Sequence, residues 1–394
     1  MAPMSRSACP LTAALFAAAV AHAQPVPPAH LDTTPSRAIP ARTTTLGGQL
    51  TVPRGVQVTK WGEVRGARAM VVGPDGSVYV STPRTGEIHR LRDANGDGAA
   101  DGATVVLAGL NRPHGMAFHK GKFYVANTDA VQRFALDAQG VPTGTGETIA
   151  RYDAGGGHWT RSITFGRDGR MYVSIGSTCN VCIEKTPDRA SVMVYDETGG
   201  TGRVYASGLR NAVGMAWHPA TQALWVTQHE RDMLKPDHQD LPQEEINILV
   251  DGGDYGWPYC HGARVPNPEF NDQARCNRTV APALRMQAHS APLGITFLDK
   301  ATALPRDFRG DALVAFHGSW NRDQPTGAKV VRIRVKDGKP VSYEDFIAGW
   351  QDASGKRWGR PVDFAILADG SVLVSDDMSG GLWRVTATRD AATR

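Results

Sequence analysis

The sequence lacks the features that mark nucleic-acid-binding and membrane-spanning proteins. Its 43 basic and 39 acidic residues nearly balance, and no block of lysine or arginine occurs among the 394 residues, so its charge pattern gives no support for nucleic-acid binding. The longest apolar run, 11–20, is too short to span a bilayer, and we expect no membrane-spanning segment. Hydrophobic residues still make up 41% of the chain, which is enough for a core and excludes a disordered protein.

The first 23 residues have the pattern of a secretory signal peptide. Arg6 supplies a positive charge, the apolar run follows, and Ala21-His22-Ala23 has the form of a cleavage site. We therefore expect cleavage near Ala23 and a periplasmic or secreted protein. Residues 24–48 are rich in proline and predict a leader before the folded domain, which we place at 49–388.

Cysteine is scarce, and the sequence has five. Removal of the signal leaves Cys179, Cys182, Cys260 and Cys276, and four cysteines in an exported protein favour two disulfides. Proximity favours Cys179–Cys182 and Cys260–Cys276, which is one of three possible connectivities. The C-x-x-C pair could instead be a redox motif, although it follows a strand-like run rather than opening a helix.

A hairpin pattern recurs six times along the chain. Each copy has an apolar stretch, a turn rich in glycine, aspartate or proline, and an alternating strand, as in MVVGPDGSVYVS. The copies start at Met70, Met116, Ile163, Met215, Ile295 and Phe364. This spacing predicts an all-β fold, a six-bladed β-propeller of four-stranded antiparallel blades. We expect residues 50–62 to add an outer strand that helps to close the ring, and insertions at about 230–245 and 255–292 to form loops on one face.

In a propeller, the residues before each innermost strand gather at one mouth of the axis. These positions carry histidine and arginine with hardly any carboxylate: Arg68, His114, His158, Arg161, Arg210, Asn211, His289 and Arg360. Because arginine binds carboxylates through two parallel hydrogen bonds, such a ring suits a multiply anionic ligand. It suits a central hard cation poorly, since such ions prefer oxygen ligands.

A second cation-binding candidate lies between two predicted strands. Asp93, Asn95, Asp97 and Asp101 occupy positions 1, 3, 5 and 9 of a loop that begins like an EF-hand, with Gly98 at position 6. The bidentate glutamate is missing at position 12, where Thr104 stands. Structural Ca²⁺ and a simple Asp/Gly-rich turn both remain open for this loop.

Several longer motifs resemble one enzyme family. They are GLRNAVGMAW (208–217), TQHE (227–230), EEINILVDGGDYGWP (244–258), HSAPLGITF (289–297), AFHGSWNR (315–322) and GRPVDFAILADGS (359–371). Together they resemble the soluble quinoprotein glucose/sorbosone dehydrogenases, in particular the sorbosone or aldose-sugar branch. The resemblance covers about 55–386 and implies a six-bladed propeller that uses pyrroloquinoline quinone (PQQ) and Ca²⁺.

The resemblance also implies roles for individual residues. His158 matches the catalytic base, and Arg210 matches an arginine that contacts the quinone and assists catalysis. The other cofactor-contacting positions are Asn211, Gln228, Glu244, His289, Asn321, Arg322 and Arg360, and those whose backbone carbonyls bind Ca²⁺ are His229 and Glu230. Three positions depart from the glucose branch, which has a lysine at Asn321, an arginine at Val362 and a threonine at His289. Arg322 could supply the charge missing at Asn321.

These assignments predict hydride transfer from the anomeric carbon of a sugar to PQQ, with His158 taking the hydroxyl proton. Electrons would then leave to a separate acceptor, a cytochrome or a quinone. Two alternatives stay open. One is a propeller lactonase or other hydrolase with a central Ca²⁺, and the other is a sugar-binding propeller without enzymatic activity.

Overall fold

The computed structural model describes residues 37–39 and 50–388. The predicted signal peptide and most of the proline-rich leader therefore lie outside the described residues. Strand β1 (Arg37–Ile39) pairs antiparallel with β2 (Leu50–Val52). Within these ranges, no helix is both long and apolar enough to cross a membrane.

Six antiparallel sheets form the blades of a propeller, which confirms the predicted fold. After β3 (Val56–Glu63), the first three blades follow in chain order. Blade one holds β4 (Met70–Val72), β5 (Val78–Thr82), β6 (Glu87–Leu91) and β7 (Ala103–Leu107). Blade two holds β8 (Met116–His119), β9 (Lys122–Ala126), β10 (Ala130–Leu136) and β11 (Pro142–Arg151). Blade three holds β12 (Arg161–Phe165), β13 (Met171–Ile175), β14 (Ser191–Asp196) and β15 (Gly199–Ser207).

Blade four is interrupted twice. It holds β16 (Ala212–Trp217), β17 (Leu224–Gln228), β18 (Glu244–Leu249) and β22 (Leu284–Met286). The segment before β22 contains β19 (Gly253–Asp254), β20 (Cys260–His261), β21 (Val265–Pro266) and the short helix α1 (Gln273–Cys276). Strand β19 adds to blade three in parallel with β15, which joins the two blades at their edges.

Blades five and six complete the ring. Blade five holds β23 (Pro292–Phe297), β24 (Ala312–Phe316), β25 (Lys329–Lys336) and β26 (Lys339–Ile347), with 3₁₀ turns at Leu298–Lys300 and Arg306–Phe308. Blade six holds β27 (Pro361–Ile366), β28 (Val372–Asp376) and β29 (Gly381–Ala387), and its outermost strand is β3. The expected closure by residues 50–62 is thus confirmed, because β3 pairs antiparallel with β29 from Glu63↔Gly381 to Val56↔Ala387.

The core lies between adjacent blades. The second strand of each blade is covered on both faces, so β5, β13 and β28 are buried along their whole length. This explains their near-continuous apolar sequences, since a strand buried on both sides has no polar face. Apolar side chains from neighbouring blades then pack in clusters, as Phe364 and Trp383 of blade six do with Leu313 of blade five.

Small residues let the innermost strands approach the axis. A Cβ at Gly115 would lie 2.7 Å from Ser162 Cα of the next blade, and one at Gly214 would lie 2.2 Å from the Leu293 carbonyl. The strands enclose an axial cavity of about 170 Å³. Polar atoms make up more of its wall than apolar atoms, and its polar side chains are His114, Ser162 and Asp363. Burial raises the pKa of the Asp363 carboxyl to about 6.

Both predicted disulfides are present. Cys179–Cys182 closes a tight loop after β13, and Cys260–Cys276 joins β20 to α1. Both insertions belong to blade four and lie at 229–243 and 250–283. They end earlier than the predicted 245 and 292, because β18 begins at Glu244 and β22 begins at Leu284. An ion pair between Arg231 and Glu269 connects the two insertions at 2.6 Å.

Candidate functional site

The residues before the innermost strands meet at one mouth of the axial cavity, as predicted from the repeat. The contacts around this mouth join successive blades. His114 before β8 lies 3.5 Å from Ser162 Oγ of blade three. Arg68 before β4 donates to Asp377 of blade six at 2.8 Å. The topology thus brings together side chains from distant parts of the sequence.

His158 lies in the segment that leads into β12. Its Nδ1 is 3.0 Å from the Ser177 carbonyl and 2.9 Å from Ser177 Oγ. Because the carbonyl can only accept, this contact assigns the proton to Nδ1 and leaves the Nε2 lone pair free to accept a proton. Burial, followed by the nearby Arg210 cation, lowers the pKa of His158 to about 3. The imidazole is therefore neutral near pH 7, as a general base must be.

Arg210 is buried beside this histidine and is fully bonded. Its Nε donates to the Asn180 carbonyl at 3.1 Å, and Nη2 donates to Asn180 Oδ1 at 2.9 Å and to Asp232 Oδ2 at 3.1 Å. Its Nη1 faces the carbonyls of His229 and Glu230 at 3.4 and 2.7 Å. The guanidinium thus has one fixed orientation, set chiefly by groups on the 177–184 and 229–232 loops.

Asn211 contributes an unpaired acceptor next to His158. Its Oδ1 is buried and has no hydrogen-bond partner. A Cβ at Gly176 would lie 2.6 Å from both Asn211 Oδ1 and His158 Cβ, so only glycine fits between the two side chains. An unpaired buried acceptor is costly in a finished core and is typical of a position where a ligand completes the bonding.

Arg68, His317 and Arg360 form a second connected group across blades one, five and six. Asp377 accepts from Arg68 and lies 2.9 Å from His317 Nε2, and these neighbours lower the pKa of the Asp377 carboxyl below its usual range although burial opposes them. Arg360 donates to the His317 carbonyl at 2.9 Å and to the Gly318 carbonyl at 3.2 Å. Burial lowers the pKa of His317 to about 4.

Trp159, which follows His158, lies among cations. The Arg112 guanidinium lies 4.3 Å from the centre of its ring, and that of Arg68 lies 5.5 Å away. His114 meets the same ring edge-on, with 5.9 Å between the ring centres. These contacts hold Trp159 by packing and cation–π attraction, and they fix the peptide that carries His158.

The mouth carries more positive charge than its own carboxylates neutralise. Among the described residues, Arg161, Arg189 and Arg360 form no ion pair, and their hydrogen bonds go to backbone carbonyls, such as those of His158 and Gly155. Carboxylates do lie nearby, Asp188 and Asp153 near Arg161 and Asp377 and Asp376 near Arg360, but none is within ion-pair distance of these guanidinium groups. This arrangement, together with the unpaired Asn211 acceptor, fits an anionic ligand with several carboxylates.

Gln228, Glu230 and Glu244 lie buried at the end of β17 and the start of β18. Gln228 Nε2 donates to Glu230 Oε1 at 2.6 Å and to Glu245 Oε2 at 3.1 Å, and its own Oε1 has no partner. Glu244 accepts from the backbone N–H of Glu230 at 2.8 Å and of Ala291 at 3.0 Å. Burial raises the pKa of Glu244 to about 8 and also raises that of Glu230. These carboxyls support the backbone of the loop beneath the mouth.

The protein groups assigned to Ca²⁺ do not form a calcium site on their own. The His229 and Glu230 carbonyls both face Arg210 Nη1, so a cation bound there would lie against the guanidinium. In the described part of the chain, ligand atoms of three His, Cys, Asp or Glu residues converge only at Cys179, Cys182 and Glu184, and the two cysteines form a disulfide. A calcium ion bound at the His229 and Glu230 carbonyls would therefore need further ligands, such as amide or carbonyl oxygens or groups of a bound cofactor.

The loop at 93–101 holds itself together through its acidic side chains. Asp93 accepts from the backbone N–H groups of Gly96 and Gly98 at 2.7 and 2.9 Å, and Asp101 accepts from Ala94 at 2.6 Å. Asn95 and Asp97 accept from N–H groups two residues ahead, each within 2.9 Å. Such local bonds are typical of Asp/Gly-rich turns and also occur in EF-hand-like loops, and Ca²⁺ binding by this loop stays a prediction.

Of the remaining predicted residues, Asn321 and His289 reach the site and Arg322 turns away from it. Asn321 donates to Asp232 Oδ1 at 2.8 Å, and its own buried Oδ1 is unpaired. His289 Nδ1 is 3.7 Å from the same carboxylate oxygen. The Arg322 guanidinium instead bonds to the Gln239 carbonyl and to Asp240, on the first insertion.

Sequence reasoning missed Asn180, Asp232, His317 and Asp377 as members of the site. Asn180 and Asp232 lie in irregular loops, where no repeat position marks them. The histidine in AFHGSWNR and the second aspartate of VSDD lie at the ends of the second strands of blades five and six. Reading the residues that follow each second strand, as well as those that precede each first strand, would have found this pair.

Comparison with known proteins finds several relatives by sequence. The chain is 26% identical to a pyrroloquinoline quinone-dependent sugar dehydrogenase of Hypocrea jecorina over 336 residues, covering 70% of this chain and 76% of that protein. It is 26% identical to a pyrroloquinoline quinone-dependent pyranose dehydrogenase of Coprinopsis cinerea over 407 residues, covering 85% of this chain and 52% of that protein. An uncharacterized protein of Borreliella burgdorferi is 30% identical over 225 residues, 56% of this chain and 58% of its own length. The chain thus spans little more than half of two of these relatives.

Solved structures share the fold at low identity. The family AA12 carbohydrate-active enzyme of Trichoderma reesei superimposes with a TM-score of 0.76 at 22% identity, covering 89% of this chain and 100% of that one. The PQQ domain of the Coprinopsis cinerea pyranose dehydrogenase, in its holo form, gives 0.73 at 22% identity, covering 86% and 97%. A family model described as TrAA12-like matches residues 50–388, and the chain therefore belongs to the TrAA12-like family.

Proposed function

We propose that this protein oxidises an aldose-type sugar at its anomeric hydroxyl, or an aldehyde hydrate, with PQQ as the bound oxidant. The observation that carries the proposal is the neutral His158, with a free Nε2, at a mouth whose arginines have too few counter-ions. Two relatives that align over 70% and 85% of this chain are PQQ-dependent sugar and pyranose dehydrogenases, which supports the same assignment.

The mouth fits PQQ by charge and by hydrogen bonding. PQQ has three carboxylates, and the guanidinium groups of Arg161, Arg189 and Arg360, which form hydrogen bonds to carbonyls but no ion pair, supply the complementary charge. The unpaired amide oxygens of Asn211 and Asn321 remain to be bonded. When bound, PQQ supplies the electron-accepting quinone, which takes up the hydride from the sugar.

The protein's own contribution is proton removal and orientation. Ser177 fixes the ring of His158 through Nδ1 and leaves Nε2 as the proton acceptor, so that Nε2 takes the proton of the sugar hydroxyl as hydride leaves the carbon that bears this hydroxyl. Arg210, locked by its hydrogen bonds, places a positive charge beside the imidazole. This cation favours the neutral form of His158 before the reaction, and it attracts an anionic cofactor both before and after the reaction.

The calcium requirement, the electron acceptor and the location in the cell are finer parts of the proposal. The resemblance implies Ca²⁺ at His229 and Glu230, a separate cytochrome or quinone as acceptor, and export to the periplasm or medium. The assay below tests the calcium requirement by comparing Ca²⁺ with a chelator. Sequencing of the mature N-terminus tests export.

Reconstitution tests the proposed function directly. Purified protein would be mixed with PQQ, with Ca²⁺ or with a chelator, and reduction of an artificial dye would be followed with a panel of aldoses. We expect an absorbance change on PQQ binding and sugar-dependent dye reduction. Absence of both would overturn the proposal, and lactone hydrolysis without PQQ would favour the hydrolase alternative.

The His158→Ala variant separates cofactor binding from catalysis. We expect it to bind PQQ like the wild type but to lose turnover by about 10²–10⁴-fold, the usual contribution of a general base. A matched control is His218→Ala, because His218 caps a turn between β16 and β17 through its Nδ1 and belongs to no part of the mouth. Unchanged turnover in His158→Ala would remove the histidine from the mechanism.

A further inference from the structure

The loop closed by the Cys179–Cys182 disulfide lies against the site. It follows β13 and spans 177–184. Glu184 anchors its far end by accepting from the Thr178 N–H at 2.6 Å and from Thr178 Oγ1 at 2.8 Å. Its first residue, Ser177, contacts His158 and donates through Oγ to the Cys179 carbonyl at 2.7 Å.

Asn180 lies between the two cysteines, and its backbone carbonyl and both polar atoms of its side chain form hydrogen bonds with residues of the site. Its carbonyl accepts from Arg210 Nε at 3.1 Å and from Trp257 Nε1 at 3.0 Å. Its Oδ1 accepts from Arg210 Nη2 at 2.9 Å and from the Asp232 N–H at 2.8 Å, while Nδ2 donates to the Asp232 carbonyl at 2.9 Å. Asn180 thus accepts from two nitrogens of Arg210. It also fixes the loop that carries Asp232, which is another hydrogen-bond partner of Arg210.

The small size of the disulfide ring favours a local role over a general stabilising one. The two cysteines are three positions apart, against 16 for Cys260 and Cys276. A cross-link that closes a shorter loop restricts the unfolded chain less and stabilises the fold less. What the short ring does restrict is the path of the chain at Asn180, and therefore the position of its carbonyl and its side chain.

We propose that Asn180, constrained by the Cys179–Cys182 ring, is a positioning residue that orients Arg210 for the reaction. This rests on the proposed function, because Arg210 acts there on the bound cofactor. The disulfide then serves the geometry of the site, and loss of either the asparagine or the cross-link lowers turnover without unfolding the protein.

Substitution of Asn180 tests the side chain. We expect Asn180→Ala to lower kcat about tenfold with a change in sugar KM below about threefold, since the sugar need not touch this residue, and to leave the melting temperature within a few degrees. Asn180→Asp keeps an acceptor for Arg210 Nη2 and should recover part of the lost kcat. Equal loss in both variants, or wild-type kcat in Asn180→Ala, would overturn the positioning role.

The second disulfide provides a matched control for the first. We expect Cys179→Ala/Cys182→Ala to lower kcat about tenfold with a small change in melting temperature. Cys260→Ala/Cys276→Ala should do the opposite, with a larger drop in melting temperature and kcat within about twofold. If the first pair changes only stability, the ring has no special relation to the site.

A crystal structure of Asn180→Ala keeps this inference distinct from the proposed function. We expect the Arg210 guanidinium to leave the position that it has in a wild-type crystal, whether or not any sugar is oxidised. An unmoved Arg210 would overturn the inference even in an active enzyme. A displaced Arg210 in a protein that neither binds PQQ nor oxidises sugars would support the inference and reject the function.

Discussion

His158 differs from an ordinary surface histidine in one property that matters for catalysis. Burial and the Arg210 cation lower its pKa to about 3, against about 6.5 in water. The ring therefore stays neutral as the pH falls through 6.5 and takes a proton only at much lower pH. The imidazole of His158 is therefore available as a proton acceptor at neutral and mildly acidic pH.

This difference predicts how His158 titrates in the protein without PQQ. We expect an NMR titration of its imidazole to show no midpoint near pH 6.5, with protonation only at much lower pH, toward the pKa of about 3. Circular dichroism at each pH would show that the protein stays folded over the range of the titration. A midpoint near 6.5 would mean that His158 titrates like an exposed histidine.

Gly176 offers a second test at the scale of one residue. A methyl group there would overlap both His158 Cβ and Asn211 Oδ1, and overpacking of this kind costs about 1–3 kcal/mol. We expect Gly176→Ala to displace the base and to lower turnover at least tenfold, as measured by dye reduction. Gly157→Ala is the matched control, since a Cβ at Gly157 meets nothing within 4 Å, and similar losses in both variants would contradict this explanation.

At the scale of strands and blades, local pattern was a good guide. Alternating apolar residues around tight turns depend only on neighbours in sequence, and the six copies start within three residues of the inner strands, as Met215 does of Ala212 at β16. The same pattern led to the mouth residues His158, Arg210 and Arg360. Blade four was harder to predict, because β22 returns to its sheet after a segment of more than thirty residues, 250–283.

The partners of the site residues could not be predicted in the same way. Asp232 and Asn180 come from loops whose positions depend on contacts between distant segments, such as the Trp257–Asn180 bond. Arg322 was expected to replace a missing lysine, and instead it binds the first insertion through Gln239 and Asp240. Which of several nearby polar groups an arginine meets is decided by loop packing, and periodicity carries no information about that.

At the scale of the whole molecule, closure of the ring depends on β3. Its buried Val56, Val58 and Trp61 pack into the joints of blade six with its neighbours. Burial of each such side chain stabilises a protein by about 1.5–3 kcal/mol, so the three together approach the total stability of a typical domain, roughly 5–15 kcal/mol.

A truncation experiment tests the importance of this closure. A chain that starts at residue 65 leaves β29 as an unpaired edge, and we expect it to melt far below the intact protein or to aggregate. A chain that starts at residue 49 retains β2 and β3 and serves as the control. Equal melting temperatures of the two chains in a calorimeter would show that blade six is stable with three strands.

The pairing of β3 with β29 also decides where the chain can be cut. The Thr388 N–H donates to the Gly55 carbonyl at 2.8 Å, and Gln57 Nε2 bonds to Thr386 Oγ1 across 329 positions of sequence. The start and finish of the propeller therefore lie side by side, close enough for a short linker to connect them. A circular permutant joined at this seam could open instead at an exposed hairpin turn, such as 138–139 in blade two, and would then carry its closing strand within an unbroken blade.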